Sequence, residues 1–242
     1  MKLCAVQLKP VKGDIAKNIE RHLSLIELAV SDGADIIIFP ELSLTGYEPS
    51  LAKQLATTIE DARLDTFQTS SDTNNITIGV GMPLRNKEGI SISMIIFQPH
   101  QKRETYSKLY IHADEEAFFV GTEGSVKFLG DNNQIALSIC YELSVPAHSA
   151  NAHQHGAAIY LSSVAKTPKG VDKAIDSLAE IAARYSMMVL MSNCIGVNDG
   201  EVCGGKSSAW NSKGQLLGQL DDNSEGILIL DTATQHVFSR QL

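Results

Sequence analysis

Three side chains of different chemical types each stand directly after a predicted strand, and together they could carry out nucleophilic chemistry. Glu41 follows the apolar run DIIIF and a proline, Cys140 ends the run IALSIC, and Lys108 follows a strand that ends at Ser107. Open α/β sheets collect their ligands at the carboxyl ends of strands, so reactive groups are expected at these positions. A proton acceptor, a thiol and a fixed positive charge are the groups needed to attack a carbonyl carbon and to stabilise the resulting oxyanion.

Local pattern alone also leaves a structural role open for each of the three residues. Partial desolvation would raise the pKa of Glu41 and suit it to proton transfer near neutral pH, but a loop or helix-capping glutamate fits equally. A strand-to-helix turn is expected to lower the pKa of the Cys140 thiol, although cysteine is among the residue types most often buried in cores. Lys108 could be a surface lysine whose alkyl chain covers apolar neighbours.

The elements that must position these residues alternate along the chain in two similar halves. Each half runs strand, helix, strand, helix and then a group of strands, which predicts an α/β fold with helices outside and sheets inside. Asp14 is the predicted N-cap of the first helix, a second amphipathic helix is predicted over 172–185, and a hairpin turn is expected at 130–132. With 242 residues and no Pro/Ser-rich or charged linker, a single domain over 1–242 is expected.

Composition excludes several classes of protein. The chain has 43% hydrophobic and 20% charged residues, as is usual for a soluble globular protein. Its net charge of −8, without a basic stripe, argues against nucleic acid as a partner. The amino terminus lacks the apolar core of a signal peptide, and no run is long enough to span a membrane, so a cytoplasmic protein is expected.

The cysteines and histidines give no metal or disulfide pattern. Cys4, Cys140, Cys194 and Cys203 have no CxxC spacing, which predicts free thiols, with three of the four serving as packing residues. The histidines near 148–155 are expected at a solvated helix end rather than at a metal, and no nucleotide-binding glycine motif is present. We therefore expect neither a metal nor a cofactor.

Taken together, the motifs of this sequence resemble those of the nitrilase superfamily of carbon-nitrogen hydrolases. The resemblance begins at AVQL and runs through FPELSLTGYEP around Glu41, YSKLYIH around Lys108 and LSICYEL around Cys140 to SNCIGV and GGKSSAWNSKG. It covers nearly the whole chain. Three separated motifs in the order of the family make a chance agreement improbable.

The resemblance implies a four-layer αββα sandwich, usually paired into a homodimer, with a Glu-Lys-Cys triad. By position, Glu41 becomes the general base, Cys140 the nucleophile and Lys108 the oxyanion stabiliser. A second family glutamate falls on Glu115, with Glu116 as the alternative.

The implied activity is hydrolysis of a small linear amide, an ω-amide or a carbamoyl compound, through a thioester. Hydrolysis of a small nitrile uses the same first adduct, and a catalytically silent binding module of the same fold is the alternative from another class. A papain-like enzyme would need a histidine partner and would leave Glu41 and Lys108 without a role.

Two departures from the family pattern affect regions that shape the pocket, so they leave the substrate open. The run after Cys140 lacks the arginine and phenylalanine of the common Arg-Phe-Pro-Glu sequence, and FFVG lacks the proline commonly found before its glycine. Six residues are expected to contact the substrate: Tyr141, Tyr47, Met82, Phe118, Ser163 and Asn193.

Overall fold

The computed structural model of the chain describes residues 1–130 and 134–242. Five α-helices lie within these ranges: α1 Ile15–Ser31, α2 Ala52–Leu55, α3 Asp65–Asn74, α4 Pro146–Gln154 and α5 Pro168–Tyr185. The strands of the first half are β1 Lys2–Gln7, β2 Ile36–Ile38, β3 Thr77–Arg85, β4 Ile90–Phe97 and β5 Glu104–Ser107. Those of the second half are β6 Phe128–Leu129, β7 Ile135–Ile139, β8 Ile159–Ser163, β9 Met188–Ser192, β10 Ile195–Asn198, β11 Glu201–Gly204, β12 Ser208–Trp210, β13 Leu216–Gln219, β14 Gly226–Asp231 and β15 Val237–Gln241.

These strands form two large sheets and one hairpin. The seven-stranded sheet has the order β15-β14-β1-β2-β3-β4-β5, and the six-stranded sheet has the order β13-β12-β9-β8-β7-β6. Strands β1, β2 and β3 run parallel, as do β7, β8 and β9. Glu41 and Cys140 therefore follow the carboxyl ends of parallel strands β2 and β7, where ligand sites of α/β folds occur.

Four layers follow from how the apolar side chains alternate. Along β1, Leu3 and Ala5 belong to the core between the sheets, whereas Cys4 and Val6 belong to the core under α1 and α3. Successive side chains of a strand point to opposite faces, so one short strand serves both cores. A third core packs the other sheet against α4 and α5. The predicted αββα sandwich is confirmed.

Helix caps explain where the two long helices begin. Asp14 accepts a hydrogen bond from Lys17 N at 3.0 Å and starts α1, as predicted. Helix α5 begins at Pro168, before the predicted start, because Thr167 is its N-cap and accepts from Gly170 N at 3.3 Å.

Two parts of the fold differ from the sequence prediction. The hairpin of β10 and β11 and the edge strand β15 were not predicted. The hairpin turn expected at 130–132 lies in part outside the described residues. Within 1–130 and 134–242, no helix combines the length and apolar character needed to cross a membrane.

Candidate active site

Glu41 lies on a tight turn after β2 that packs directly on strand β3. Leu44 N donates to Gly81 O at 3.0 Å and fastens the turn to that strand. A Cβ on residue 81 would lie 2.4 Å from Leu42 N and 2.6 Å from Pro40 O, closer than real atoms approach. Glycine at position 81 is therefore what allows the turn to hold the Glu41 carboxyl in a buried position.

Lys108 is fully buried and lies between two carboxylates. Its backbone N donates to Ile92 O at 2.8 Å, which extends the pairing of β5 with β4 by one residue. Its ammonium Nζ lies 2.8 Å from Glu41 Oε1, and 2.7 Å and 2.9 Å from Glu115 Oε1 and Oε2. Tyr47 Oη donates to Glu115 Oε1 at 2.9 Å. We call Glu41, Tyr47, Lys108 and Glu115 the Lys108 cluster, and its burial rules out a surface role for the lysine.

Glu115, rather than Glu116, is the second glutamate of this cluster. The turn that carries it is closed by Glu115 N donating to His112 O and by His112 N donating to Glu115 Oε2, both at 2.9 Å. Glu115 is buried, whereas Glu116 is exposed.

Cys140 stands at the end of β7, where it opens the short 3₁₀ helix Cys140–Ser144. Its φ of +43° is left-handed, a conformation that costs an L-residue roughly 1–2 kcal/mol. The sharp turn brings the thiol to the wall of a cavity that Glu115 and Tyr47 also line.

The pKa values of Glu41 and Lys108 are both raised. Burial raises the pKa of Glu41, the charge of Lys108 opposes this shift, and the charge of Glu115 adds to it. Burial alone would lower the pKa of Lys108, but the charges of Glu41, Cys140 and Glu115 raise it above its ordinary value. Lys108 is therefore a permanent cation, and Glu41 is a stronger base than an exposed glutamate.

The Cys140 thiol is shifted in the direction opposite to the one expected from its position. Burial, followed by the charge of Glu41, raises its pKa to about 11, although Lys166 and Lys108 act in the opposite direction. The expected lowering of the pKa was wrong because desolvation of the thiolate outweighs the nearby cations. The resting thiol thus carries its proton at neutral pH and needs a proton acceptor to become nucleophilic.

The cavity beside Cys140 has a volume of about 490 Å³ and a polar wall. Tyr47 and Tyr141, two of the six residues expected to contact substrate, line it. Lys166, Asp199 and Glu201 also line it, so the wall carries charges of both signs. A site with this lining suits a small polar molecule better than an apolar one.

The other four residues expected to contact substrate lie elsewhere. Met82 is fully buried in the core under α1 and α3, because its place on β3 points its side chain away from the other sheet. Phe118 is 42% exposed and turned to the surface, while the adjacent Phe119 fills the core between the sheets.

Ser163 and Asn193 support the strand ends behind the cavity instead of lining it. Ser163 Oγ donates to Phe39 O at 2.7 Å and joins β8 to the end of β2. Asn193 Oδ1 accepts from Lys166 N at 2.9 Å, and its Nδ2 donates to Gly205 O at 2.7 Å. Both side chains bind backbone groups, and neither lines the cavity.

Part of the cavity wall comes from the hairpin of β10 and β11. The hairpin supplies Asp199, Glu201 and Cys203, and Asn198 Oδ1 accepts from Tyr47 N at 3.1 Å. The sequence Asn-Asp-Gly at 198–200, between two short apolar runs, is a hairpin signal that could have indicated this element.

His148 was wrongly expected at a solvated helix end. It is buried, and its ring nitrogens lie 2.8 Å from Tyr106 Oη and 2.8 Å from Tyr160 Oη. In the described ranges of the chain, no group of three or more His, Cys, Asp or Glu side chains is arranged to hold a metal ion.

The fold and this site define a protein with a buried Glu-Lys-Glu cluster beside a cysteine on an αββα sandwich. The family model described as carbon-nitrogen hydrolase matches residues 2–237. The chain belongs to the carbon-nitrogen hydrolase family, which confirms the resemblance described from its motifs.

Similar proteins include amidases and longer synthetases. The chain is 25% identical to an (R)-stereoselective amidase from a Pseudomonas species, over 90% of this chain and 80% of the relative. It is 22% identical to the glutamine-dependent NAD(+) synthetase of Thermotoga maritima, over 96% of this chain but only 42% of the relative. The chain thus spans about two fifths of the length of that synthetase.

Solved structures of the amidase from Nesterenkonia sp. AN1 have the same fold. A mutant in complex with butyramide superposes with a TM-score of 0.86 at 23% identity, covering 98% of this chain and 92% of that chain. Another structure, with a TM-score of 0.85 at 23% identity over 96% of this chain and 89% of that one, shows the acetamide moiety of fluoroacetamide added covalently at its active-site cysteine.

Proposed function

We propose that this protein hydrolyses the amide C–N bond of a small linear amide through a thioester on Cys140. The observation that carries the proposal is the Cys140 thiol at a cavity wall beside the buried ion cluster of Glu41, Lys108 and Glu115. The amidase relatives support the choice of an amide as substrate.

In the first half of the reaction, Glu41 accepts the Cys140 proton as the sulfur attacks the carbonyl carbon. The negative charge that develops on the carbonyl oxygen is held by the Lys108 ammonium and the Tyr141 backbone N–H. The C–N bond then breaks, and Glu41 gives its proton to the departing nitrogen. Ammonia or an amine leaves, and the acyl group remains on sulfur as a thioester.

In the second half, water attacks the thioester carbon while Glu41 accepts its proton. Collapse of the tetrahedral intermediate breaks the C–S bond, and the proton returns to sulfur. The carboxylic acid leaves, and the Cys140 thiol is restored. Glu41 is suited to accept a proton because burial raises its pKa above that of an exposed glutamate.

Glu115 contributes by fixing the cation and the cavity wall. It accepts hydrogen bonds from Lys108 Nζ and from Tyr47 Oη, so it holds Lys108 in place and orients the Tyr47 ring at the cavity. The second carboxylate also keeps Lys108 charged in a buried setting, where a lone ammonium would tend to lose its proton.

The charges of the cavity wall favour a polar amide. Half-buried Lys166 lines the cavity together with Asp199 and Glu201 of the hairpin of β10 and β11. An ω-amide or a carbamoyl compound that carries a carboxylate could use Lys166, and an ammonium group could use the hairpin. No cofactor enters any of these steps.

We further infer a single domain that works in the cytosol as a homodimer, with a small molecule rather than nucleic acid as its partner. The core between the sheets draws residues from both halves of the chain, which supports one domain. All four cysteines are free, as in proteins of a reducing compartment. Light scattering of the purified protein tests the dimer.

The first experiment is ammonia release from a panel of neutral, anionic and zwitterionic amides, carbamoyl compounds and nitriles. Wild type is expected to release ammonia from at least one amide, and Cys140→Ala to release none. Cys4→Ala is the matched control, because Cys4 is a buried thiol in the core under α1 and α3 and does not line the cavity. Equal release by wild type and Cys140→Ala would contradict the nucleophile, and release from nitriles alone would redirect the proposal to a nitrilase.

Covalent capture separates an enzyme from a silent binding module. Incubation with fluoroacetamide and peptide mass spectrometry should place an acetamide group on Cys140. A protein that releases no ammonia and forms no adduct on Cys140 would be the binding module.

A further inference from the structure

A second buried polar cluster lies behind Cys140, and the mechanism above does not use it. Glu142, Tyr106, His148 and Tyr160 form this Glu142 cluster, and all four are buried. Tyr106 Oη lies 2.7 Å from Glu142 Oε2 and 2.8 Å from His148 Nε2, and His148 Nδ1 lies 2.8 Å from Tyr160 Oη. The cluster joins β5, the turn after β7, α4 and β8.

The hydrogen bonds of the Glu142 cluster can all run in one direction. Tyr160 donates to His148 Nδ1, His148 Nε2–H donates to Tyr106 Oη, and Tyr106 donates to Glu142. Burial lowers the pKa of His148 to about 4, so the ring is neutral and one nitrogen accepts while the other donates. In this direction the chain of donors ends on the Glu142 carboxyl group, which accepts from Tyr106.

That carboxylate also accepts from two backbone amides, and each adjoins a residue of the active site. Leu109 N donates to Glu142 Oε1 at 2.6 Å, and Leu109 directly follows Lys108. Ile139 N donates to Glu142 Oε2 at 2.7 Å, and Ile139 directly precedes Cys140. One carboxylate thus joins the segment that carries the cation to the segment that carries the nucleophile.

The backbone conformation at Cys140 indicates what the Glu142 hydrogen bonds stabilise. Cys140 is held at a φ of +43°, and such a conformation persists only where the surrounding structure enforces it. The Glu142 carboxylate restrains the residue before Cys140 while it is itself part of the 3₁₀ helix that Cys140 opens.

We propose that Glu142 is a positioning residue whose carboxylate fixes the Cys140 turn relative to the Lys108 loop. This inference rests on the roles proposed for Cys140 and Lys108. Glu142 touches neither substrate nor the reacting sulfur; it acts through the backbone amides of Leu109 and Ile139.

Protonation of Glu142 should weaken this link. The carboxylate accepts from two backbone amides and from the Tyr106 hydroxyl, and a neutral carboxyl accepts weaker hydrogen bonds than a charged one. Burial raises the pKa of Glu142 to about 7, against the effect of these hydrogen bonds and of the Lys108 charge. The link is therefore strongest above about pH 7 and weakens as the pH falls through this value.

The groups that face Glu142 do not titrate in the same range. His148 on α4 has its pKa lowered by burial to about 4. Tyr106 on β5 and Tyr160 on β8 have theirs raised, mainly by burial. The pKa of Lys108 is also raised.

The test is the rate at which iodoacetamide alkylates Cys140, measured from about pH 5.5 to 8.5 in wild type and in Glu142→Gln. Glutamine has the same shape but only one accepting oxygen, so its NH₂ must face a donor. We expect alkylation to be slower in Glu142→Gln by about 10-fold at pH 8, the scale of one hydrogen bond to a charged group. The ratio of the two rates should shrink at low pH, where wild-type Glu142 is itself neutral.

Two further variants test the inference, one as a control and one as a replacement for Glu142→Gln. Tyr160→Phe removes the far end of the cluster and should slow alkylation less than about 3-fold, since neither backbone link is touched. If Glu142→Gln does not fold, Glu142→Asp keeps the charge but is one methylene too short to reach both amides, and the same loss is expected.

The outcomes distinguish this inference from the proposed function. Equal rates in wild type and Glu142→Gln, a ratio that does not change with pH, or an equal loss in Tyr160→Phe would overturn the positioning role alone. A wild-type Cys140 that iodoacetamide fails to modify would overturn the proposed function and this inference with it.

Discussion

The Lys108 cluster and the Glu142 cluster lie on two sides of the same cysteine, and they satisfy their polar atoms differently. In the Lys108 cluster, Glu41 Oε2 is buried and accepts no hydrogen bond from the residues that the structure describes. In the Glu142 cluster, both carboxylate oxygens are hydrogen-bonded. The first cluster reaches the cavity through Tyr47 and Glu115, whereas none of the four residues of the second lines it.

This difference is consistent with the proposed roles, a proton acceptor for Glu41 and a restraint on the backbone for Glu142. A buried acceptor without a donor carries a desolvation cost, and a catalytic role is one explanation for such an atom. In the proposed mechanism, the Glu41 carboxyl accepts the thiol proton and gives it to the leaving nitrogen. Glu142 does not line the cavity, and both of its oxygens accept hydrogen bonds from the protein, as expected of a residue that restrains the backbone.

The largest expected effect is that of Glu41→Gln. Glutamine keeps an oxygen for Lys108 but cannot accept the thiol proton, so kcat should fall by about 10²- to 10⁴-fold, the range of general acid-base catalysis. Steady-state rates with the best amide of the panel measure this. Glu116→Gln, at an exposed glutamate, is the control, and a Glu41→Gln enzyme within about threefold of wild type would refute the contrast between the two carboxyls.

Lys108→Met should reduce activity and stability together. Loss of the oxyanion charge is expected to lower kcat by about 10²- to 10³-fold. Two buried carboxylates would be left without their cation, which should cost about 3 kcal/mol in the free energy of unfolding measured with urea. Combining Lys108→Met with Glu41→Gln removes one of these charges and should recover part of the stability but none of the activity. Equal stability of the single and double variants would contradict the ion cluster.

Lys166→Met tests the role of Lys166, a cation that lines the cavity beside Cys140. We expect the ratio of kcat/KM for an anionic amide to that for a neutral amide to fall about 5-fold, because a half-exposed charge pair contributes about 1 kcal/mol. Lys169→Met is the matched control, since Lys169 is exposed nearby but does not line the cavity. An unchanged ratio would remove Lys166 from substrate recognition.

The smallest expected effect is on how the free energy of unfolding depends on pH. Because the folded-state pKa of Glu142 is raised from 4.5 to about 7, its contribution to stability is fully present below 4.5 and is lost as the pH rises through 7. The free energy of unfolding should therefore fall more steeply across this range in wild type than in Glu142→Gln. Urea unfolding at several pH values measures the two slopes, and parallel curves would show that Glu142 ionises equally in the folded and unfolded chain.

The positions of the reactive groups could be predicted from the sequence because they depend on local order along the chain. An apolar run followed by Glu41, and another that ends in Cys140, place these groups at strand ends whatever the details of packing. Family motifs then related Lys108 to them. The sequence could not decide whether Glu115 or Glu116 is the second glutamate of the site. Which of two adjacent side chains points into the site depends on the conformation of a single turn.

The cavity wall was harder to predict because it is assembled from distant segments. Met82 and Ser163 were expected to contact substrate, yet strand alternation and a backbone acceptor direct them elsewhere. Lys166 and Glu201 were not anticipated, since they meet only when the loop after β8 packs against β11. The direction of the Cys140 pKa shift was wrong for a related reason, because desolvation depends on three-dimensional packing.

The place of β1 in the seven-stranded sheet sets a condition on how the chain folds. This first strand pairs with β2 on one side and with β14 on the other, where Lys2 lies opposite Asp231. Contacts between residues so far apart in sequence form late, because a long loop must close before they contribute. During synthesis, one edge of β1 has no partner until β14 has emerged. We therefore expect slow folding, limited by the pairing of β1 with β14.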